Sequence, residues 1–366
     1  MRITEVDSYS DFIALREKWR ELLDKCDHSV FSTWEWLSIW WKHFGRDKKL
    51  LLLLAEDDNK ILGIAPLMYS VYKMFGLRIG KIEFIGTPSS DYNDLILAKK
   101  GEECIKLFID YILKNFPEKW DCIELKEIPE TAQSLSFLNR MPKNVKLRSL
   151  RVLHECPYIL LPKSFDTLFN QLGYKFRKNL RRNQKQLQQK YKVEFKDYST
   201  TQSFKEGMER MFDLHQKKWK AKGEPGVFAN QRVRDFHLEV ARSFSQLGWL
   251  SLNSLVADGN TVASLYGFRY KSKLYYYLSG IDPAYNRYSV GNLLILSVLE
   301  KCIRDELTEF DFLRGVEPYK YRWSPRSRKN FNLVLTKKEF FSWIQNWFIE
   351  KYWFFGKRLK RSLKMQ

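Results

Sequence analysis

Residues Lys273–Trp323 read KLYYYLSGIDPAYNRYSVGNLLILSVLEKCIRDELTEFDFLRGVEPYKYRW, and this stretch decides the fold. Lys273–Leu278 is an aromatic, apolar run of strand length. From Gly291 the apolar residues recur at helical spacing, and Glu309–Leu313 returns to a strand pattern. The turn Asn286-Arg287-Tyr288-Ser289-Val290-Gly291 opens directly into that helix. The first N–H groups of a helix have no acceptor of their own and sit at the positive end of its dipole. The turn is therefore built to face an anion.

Upstream, Trp249–Ala257 and Thr261–Tyr270 are β-rich runs joined by Asp258-Gly259-Asn260, a strong hairpin signal. Lys271-Ser272 then turns into Lys273–Leu278. The order is an antiparallel meander, a crossover helix and one further strand. The same order occurs earlier: Leu50–Ala55, the turn Asp57-Asp58-Asn59, Ile61–Val71, Lys81–Ile85, a helix over Glu102–Asn115 and a strand over Asp121–Lys126. Helical patterns precede each meander, over Asp11–Lys25 in the first half and over Phe165–Leu172, Tyr174–Lys190 and Phe204–Lys222 in the second. Pro225-Gly226 interrupts before a helix over Arg234–Leu247. The chain reads as α+β, two similar halves in tandem. Residues 1–155 form the first half, 156–338 the second, and 339–366 a basic aromatic C-terminal helix.

The chain has 366 residues, enough for two domains with separate cores. Hydrophobic content of 44% and aromatic content of 16% exclude a disordered chain. No apolar run is long enough to span a bilayer, and the N-terminus lacks the apolar core of a signal peptide, so a cytoplasmic protein is expected. Five scattered cysteines without a CxxC pair read as buried thiols, with no metal site expected. The net charge of +20 is concentrated: Lys175–Lys192 carries eight cations and no anion, and Tyr319–Gln366 contributes a further +11. Such localised charge calls for an anionic partner, whether nucleotide, nucleic acid, phospholipid or glycan. Phe340–Leu363 mixes aromatic and basic residues, which suits an interfacial helix on an anionic membrane as well as a helix docked on its own domain.

Three segments carry a family resemblance. The first is Phe310-Asp311-Phe312-Leu313-Arg314-Gly315 with Glu317, Tyr319, Lys320 and Trp323. The second is Leu214-His215 with Trp219, Gly223, Gly226 and Phe228. The third is Phe31-x-Thr33-x-x-Trp36-Leu37-x-x-Trp40-Trp41-x-x-Phe44-Gly45. In their order along the chain they resemble the CelD-like, cellulose-biosynthesis-associated branch of the GNAT acyltransferases, which is related to the FemAB-like transferases. The resemblance implies acetyl-CoA or another acyl-CoA as co-substrate, its pyrophosphate lying at Asn286, Arg287, Ser289, Val290, Gly291 and Asn292. Asn286 and Ser289 depart from the Gln and first Gly of the family loop.

Acyl transfer to an amine needs a polarised carbonyl and a group that takes the amine's proton. In the GNAT arrangement the strands matching Lys273–Leu278 and Glu309–Leu313 splay to admit the pantetheine arm, and a backbone N–H polarises the carbonyl. Glu317, His215 and Asp311 are the candidate catalytic groups. Glu317 and His215 can accept a proton near neutral pH, while Asp311 suits a structural hydrogen bond equally well. Trp219, Arg314 and Lys320 are candidate substrate contacts. Asp91, Tyr92 and Asp94 join them from the first half, where the loop Thr87–Asp94 lacks the phosphate-loop glycines and no coenzyme A binding is expected.

The resemblance implies an N-acyltransferase acting on an amine of a sugar or cell-envelope precursor, in the cytoplasm or at the inner face of the membrane. A FemAB-like transfer from aminoacyl-tRNA is the alternative that the basic helix Tyr174–Lys190 favours. A non-catalytic scaffold for nucleic acid or membrane accounts for the charge but leaves the phosphate loop without a purpose.

Overall fold

The computed structural model describes residues 1–58, 60–74, 77–116, 120–138, 145–221 and 223–337. The helix expected over 339–366 lies outside them. The described residues divide into two compact units, one formed by Met1–Leu153 with Asn330–Lys337, the other by His154–Lys329.

The first unit opens with strand β1 (Arg2–Val6) and helices α1 (Tyr9–Ala14), α2 (Arg16–Leu23) and α3 (Trp34–Phe44). A single helix was expected over Asp11–Lys25, and it divides at Leu15. The meander β2 (Lys49–Asp57), β3 (Lys60–Met74), β4 (Leu77–Phe84) follows. The two-residue β5 (Ile96–Leu97), α4 (Gly101–Asn115), β6 (Cys122–Pro129) and α5 (Gln133–Leu138) come next. β1 to β4 pair antiparallel in order, and β6 adds to β4 in parallel. The α4 face buries Phe108 and Ile112 against Leu51, Leu53, Ile82 and Phe84. The N-terminal motif has a structural purpose. Thr33 caps α3 by accepting from Trp36 N at 3.3 Å, while the indoles of Trp36 and Trp40 donate to Ser90 and Ser89 at 2.9 and 3.2 Å.

The chain leaves this unit within β7 (Val145–Leu160), a long strand that spans the division expected at residue 155. α6 (Phe165–Gln171), α7 (Tyr174–Lys190), β8 (Val193–Asp197), α8 (Phe204–Lys220) and α9 (Gln231–Gln246) precede the second meander. That meander is β9 (Leu250–Ala257), β10 (Asn260–Tyr270) and β11 (Lys273–Ile281), followed by α10 (Val290–Arg304) and β12 (Glu309–Asp311). The sheet order in this unit is β7-β12-β11-β10-β9-β8, antiparallel except for the parallel pair β11–β12. α6, α7 and α10 bury Leu168, Leu180, Leu187, Leu294 and Val298 against Leu255, Leu265, Leu274 and Phe310. α8 and α9 pack together, and α8 lies on β10 and β11.

The last strand, β13 (Ser327–Lys337), pairs antiparallel with β6 from Asn330 to Thr336. Residues 330–337 therefore belong to the first unit, where the sequence reading ended the second half at 338. An extended run at the end of a chain carries no local mark of which sheet edge it will complete. Both units nonetheless share one plan, a mixed, mainly antiparallel sheet flanked by helices.

Candidate active site

β11 and β12 pair only through Lys273↔Glu309, Leu274↔Phe310 and Tyr275↔Asp311. β11 then runs on to Ile281, while the chain after Asp311 bonds away from it. Phe312 N donates to Pro157 O and Gly315 N to Glu155 O, both at 2.9 Å. A wedge-shaped gap thus opens between two parallel strands from Tyr276 onward. On the other side of β11 the register with β10 slips between Tyr266 and Gly267, leaving Tyr277 as the extra residue of a bulge. Gly280 lets α8 approach: a Cβ there would lie 2.7 Å from His215 N.

Past the open end of β11 the chain makes a short turn, Pro283–Tyr288, capped by Asp282, whose Oδ1 accepts from Ala284 N at 3.0 Å. Ser289 is left-handed (φ 51°, ψ 43°), a conformation in which glycine is relaxed, and its carbonyl accepts from both Asn292 N and Leu293 N at 2.8 and 3.2 Å. The N–H groups of Val290 and Gly291 have no acceptor among the described residues. Asn286 and Arg287 are exposed, and the Arg287 guanidinium lies 4.5 Å over the Tyr288 ring. Asn286, Arg287, Ser289, Val290, Gly291 and Asn292 therefore share one turn with two free donors. Gly291 serves packing, since a Cβ there would lie 2.6 Å from Ile281 Cδ1.

The loop after β12 reverses through Leu313 (φ 56°) and Gly315 (φ 122°). Asp311 is fully buried; its Oδ1 accepts from Leu313 N at 2.7 Å, and Arg328 Nη1 lies 3.6 Å from Oδ2. Its carboxylate holds the strand exit. Lys320 is buried too, and its ammonium donates to Leu313 O and Arg314 O at 3.4 and 2.9 Å while pairing with Glu317 Oε2 at 2.9 Å. Three ammonium donors meet three acceptors within the loop, leaving none for a substrate phosphate or carboxylate. Arg314 is half-buried beside it. Glu317, with its side chain 56% exposed, keeps Oε1 without a partner among the described residues.

Two hydroxyls that the sequence reading did not single out for chemistry meet there. Tyr319 is hydrogen-bonded to Tyr276, the first β11 residue beyond the pairing, and Tyr276 also bonds Ser279. Burial above all raises both phenols, so each stays neutral. The alternation of the strand was the available signal, placing Tyr276 on the face of Phe310 and Phe312.

His215 and Trp219 lie on α8. His215 is buried, its Nε2 accepts from Trp219 Nε1 at 2.9 Å, and its ring meets Phe228 edge-on at 4.8 Å. Burial pushes its pKa down to about 4, with Gln216 pulling the other way. The imidazole expected to titrate near neutrality is thus a neutral acceptor that orients the indole.

Asp91, Tyr92 and Asp94 belong to the first unit. There β4 and β6 pair only through Lys81↔Cys122 and Ile82↔Ile123, but the equivalent gap is closed. Asn93 bonds across it to Glu127 O and Lys126 O at 2.8 and 3.2 Å. Asp91 and Tyr92 are buried, and Asp91 O accepts from Asn330 Nδ2 at 2.6 Å. Asp94 accepts from Leu95 N at 2.7 Å and from the Ser134 hydroxyl, yet burial raises its pKa to about 7. An acid whose folded pKa exceeds its unfolded value of 3.8 binds more protons when folded, so stability falls as pH rises from about 4 to about 7. Asp94→Asn is expected to narrow the difference in Tm between pH 5 and pH 8. An undiminished difference in the variant would exclude Asp94 as its source.

A helix start with free N–H donors thus stands beside a parted parallel strand pair. Residues 174–321 match the sequence model of the acetyltransferase (GNAT) domain, and the protein is an enzyme of the acyltransferase class. No curated protein matches the sequence. Among solved structures, FemX is similar in fold (TM-score 0.63, 10% identity), over 91% of this chain and 97% of that one. A conserved protein of unknown function from Bacteroides thetaiotaomicron gives a TM-score of 0.59 at 12% identity, over 92% and 100%. The C-terminal domain of a lysylphosphatidylglycerol synthetase from Agrobacterium fabrum gives 0.55 at 12% identity, over 89% and 92%. Among the described residues no helix is long and apolar enough to cross a membrane, and no group of three or more His, Cys, Asp or Glu is placed to hold a metal.

Proposed function

We propose that this protein is an acyl-CoA-dependent N-acyltransferase, similar to the CelD-like branch, that acylates an amine of a sugar or cell-envelope polysaccharide precursor. The two free N–H groups at the start of α10, opening onto the gap between β11 and β12, are the observation that carries this reading. The pyrophosphate of the co-substrate would lie on Val290 N and Gly291 N, with Arg287 and Asn286 beside it, and the thioester would reach the gap at Tyr276. The amine nitrogen attacks the thioester carbonyl, and Glu317 takes the proton that the nitrogen loses. The C–S bond then breaks, and the leaving thiolate takes a proton through the Tyr276–Tyr319 hydroxyl pair. Lys320 acts by holding the loop that presents Glu317.

The test is thermal. Coenzyme A should raise Tm, by the equivalent of about 2.7 kcal/mol at a hundredfold excess over Kd. Asn292→Glu places a carboxylate at the same helix start. It should keep or slightly raise the unliganded Tm, since an anion there favours the helix, while abolishing the coenzyme A shift. A shift that survives in Asn292→Glu would remove the turn from the site.

A second reading, transfer from an aminoacyl-RNA, is favoured by α7, whose Lys175, Lys178, Arg181, Arg182 and Lys185 are exposed without a carboxylate partner among the described residues. The ligand that co-purifies with the protein, acyl-CoA or RNA, separates the two.

A further inference from the structure

A cleft of about 340 Å³ lies in the second unit at the end of the sheet away from the gap, and its volume is that of a small-molecule site. Its floor is apolar: Leu250 of β9, Leu274 of β11, Val298 of α10 and Leu307 line it and are buried. Its mouth is charged. Arg269, at the end of β10, and Lys301, in the last turn of α10, meet one oxygen of Asp305. Arg269 Nη1 and Lys301 Nζ lie 2.9 and 3.1 Å from Asp305 Oδ2. Lys301 also meets Asp197 Oδ2 at 3.4 Å, so two cations face two carboxylates and their charges cancel. These groups are not used up. Of the five N–H groups of Arg269, two reach an acceptor among the described residues, Asp305 Oδ2 and Asp305 O. Asp305 Oδ1 has no partner among them. Ser251, buried in the wall of the cleft, accepts from Asn253 Nδ2 at 2.9 Å and keeps its own hydroxyl hydrogen to donate.

We infer that this cleft binds a free α-amino acid with an apolar side chain. Arg269 and Ser251 take the carboxylate, Asp305 takes the ammonium, and the side chain enters the apolar floor. A ligand of one sign would leave the spare groups of either Arg269 or Asp305 unmet, and a charged hydrogen bond is the stronger kind to forgo. The two charges of the ligand must also lie close together, because Arg269 Nη1 and Asp305 Oδ2 are 2.9 Å apart. In an α-amino acid both charged groups are bonded to one carbon. The site is separate from that of acyl transfer. Lys301 lies eleven residues along α10 from Val290, about 16 Å at the rise of an α-helix. Leu274 belongs to the part of β11 still paired with β12. The amino acid is therefore neither acyl donor nor acceptor, but a ligand held in addition to them.

The experiment is a calorimetric titration of the native full chain with L-leucine, L-leucinamide and 4-methylpentanoate. These share one hydrocarbon shape and carry both charges, the ammonium alone and the carboxylate alone. L-Leucine should bind at least tenfold more tightly than either analogue. Arg269→Gln and Asp305→Asn each remove one charge at the partly exposed mouth, where a lost ion pair costs the fold little. Arg269→Gln should weaken L-leucine at least tenfold while L-leucinamide binds as before. Asp305→Asn should weaken L-leucine to the same degree while 4-methylpentanoate binds as well as before or better. Changes of preference in opposite directions separate lost recognition from lost structure. Saturating coenzyme A should leave the binding of L-leucine intact, since the two sites share no residue. Four results each overturn the inference: no binding of L-leucine to the native protein, equal binding of the three molecules, unchanged L-leucine affinity in both variants, or displacement of L-leucine by coenzyme A.

Discussion

Glu317→Gln is expected to lower kcat by about 10²–10⁴-fold while the coenzyme A shift in Tm stays intact. The amide keeps the size of the carboxylate and can still accept from Lys320 Nζ, now 2.9 Å from Oε2. Loop geometry is therefore retained and only proton acceptance is lost. The free Oε1, beside the hydrogen-bonded Tyr276 and Tyr319, is the atom at which the amine's proton would arrive. His215→Gln is the informative control. A buried imidazole with its pKa near 4 and its Nε2 already bonded to Trp219 is a poor base at neutral pH, so this change should lower stability more than kcat. Full activity in Glu317→Gln with a large loss of kcat in His215→Gln would reverse the two assignments.

Lys320→Met is expected to destabilise the second unit by about 3 kcal/mol, because each buried acceptor left unpaired costs about 1–3 kcal/mol. Two carbonyls, those of Leu313 and Arg314, lose their donor where Leu313 already holds a positive φ. The half-exposed Glu317 adds little to the loss, since an exposed carboxylate can turn to water. The urea midpoint should fall in Lys320→Met and remain near native in Glu317→Gln. Equal midpoints in both variants and the native protein would show that the ammonium does not hold the loop. Lys320→Arg should recover part of the stability, because a guanidinium still donates to carbonyl oxygens.

Much of the second unit was legible in the order of residues. Asp258-Gly259 marked the hairpin, Tyr174–Lys190 matched α7 to the residue, and the break at Asn286–Ser289 placed the start of α10 within a residue. These features depend on backbone preferences and periodic burial, which neighbours along the chain dictate. The free donors of α10 were readable for the same reason, since every helix start leaves N–H groups over.

The roles of single side chains were not readable, because burial and partners come from residues distant in sequence. Lys320 looked like a substrate contact and is instead enclosed by the loop that begins at Leu313. His215 looked titratable until Trp219 and Phe228 closed around it. Asn93 gave no sign that it would bond across to Glu127 and Lys126 and fill the gap of the first unit. By itself the sequence determined the tandem α+β plan and the turn that opens α10, because local pattern and helix geometry suffice for those. Only the tertiary structure decided which of two similar gaps stands open and which polar groups remain unpaired, because each depends on hydrogen bonds between chain segments far apart in sequence.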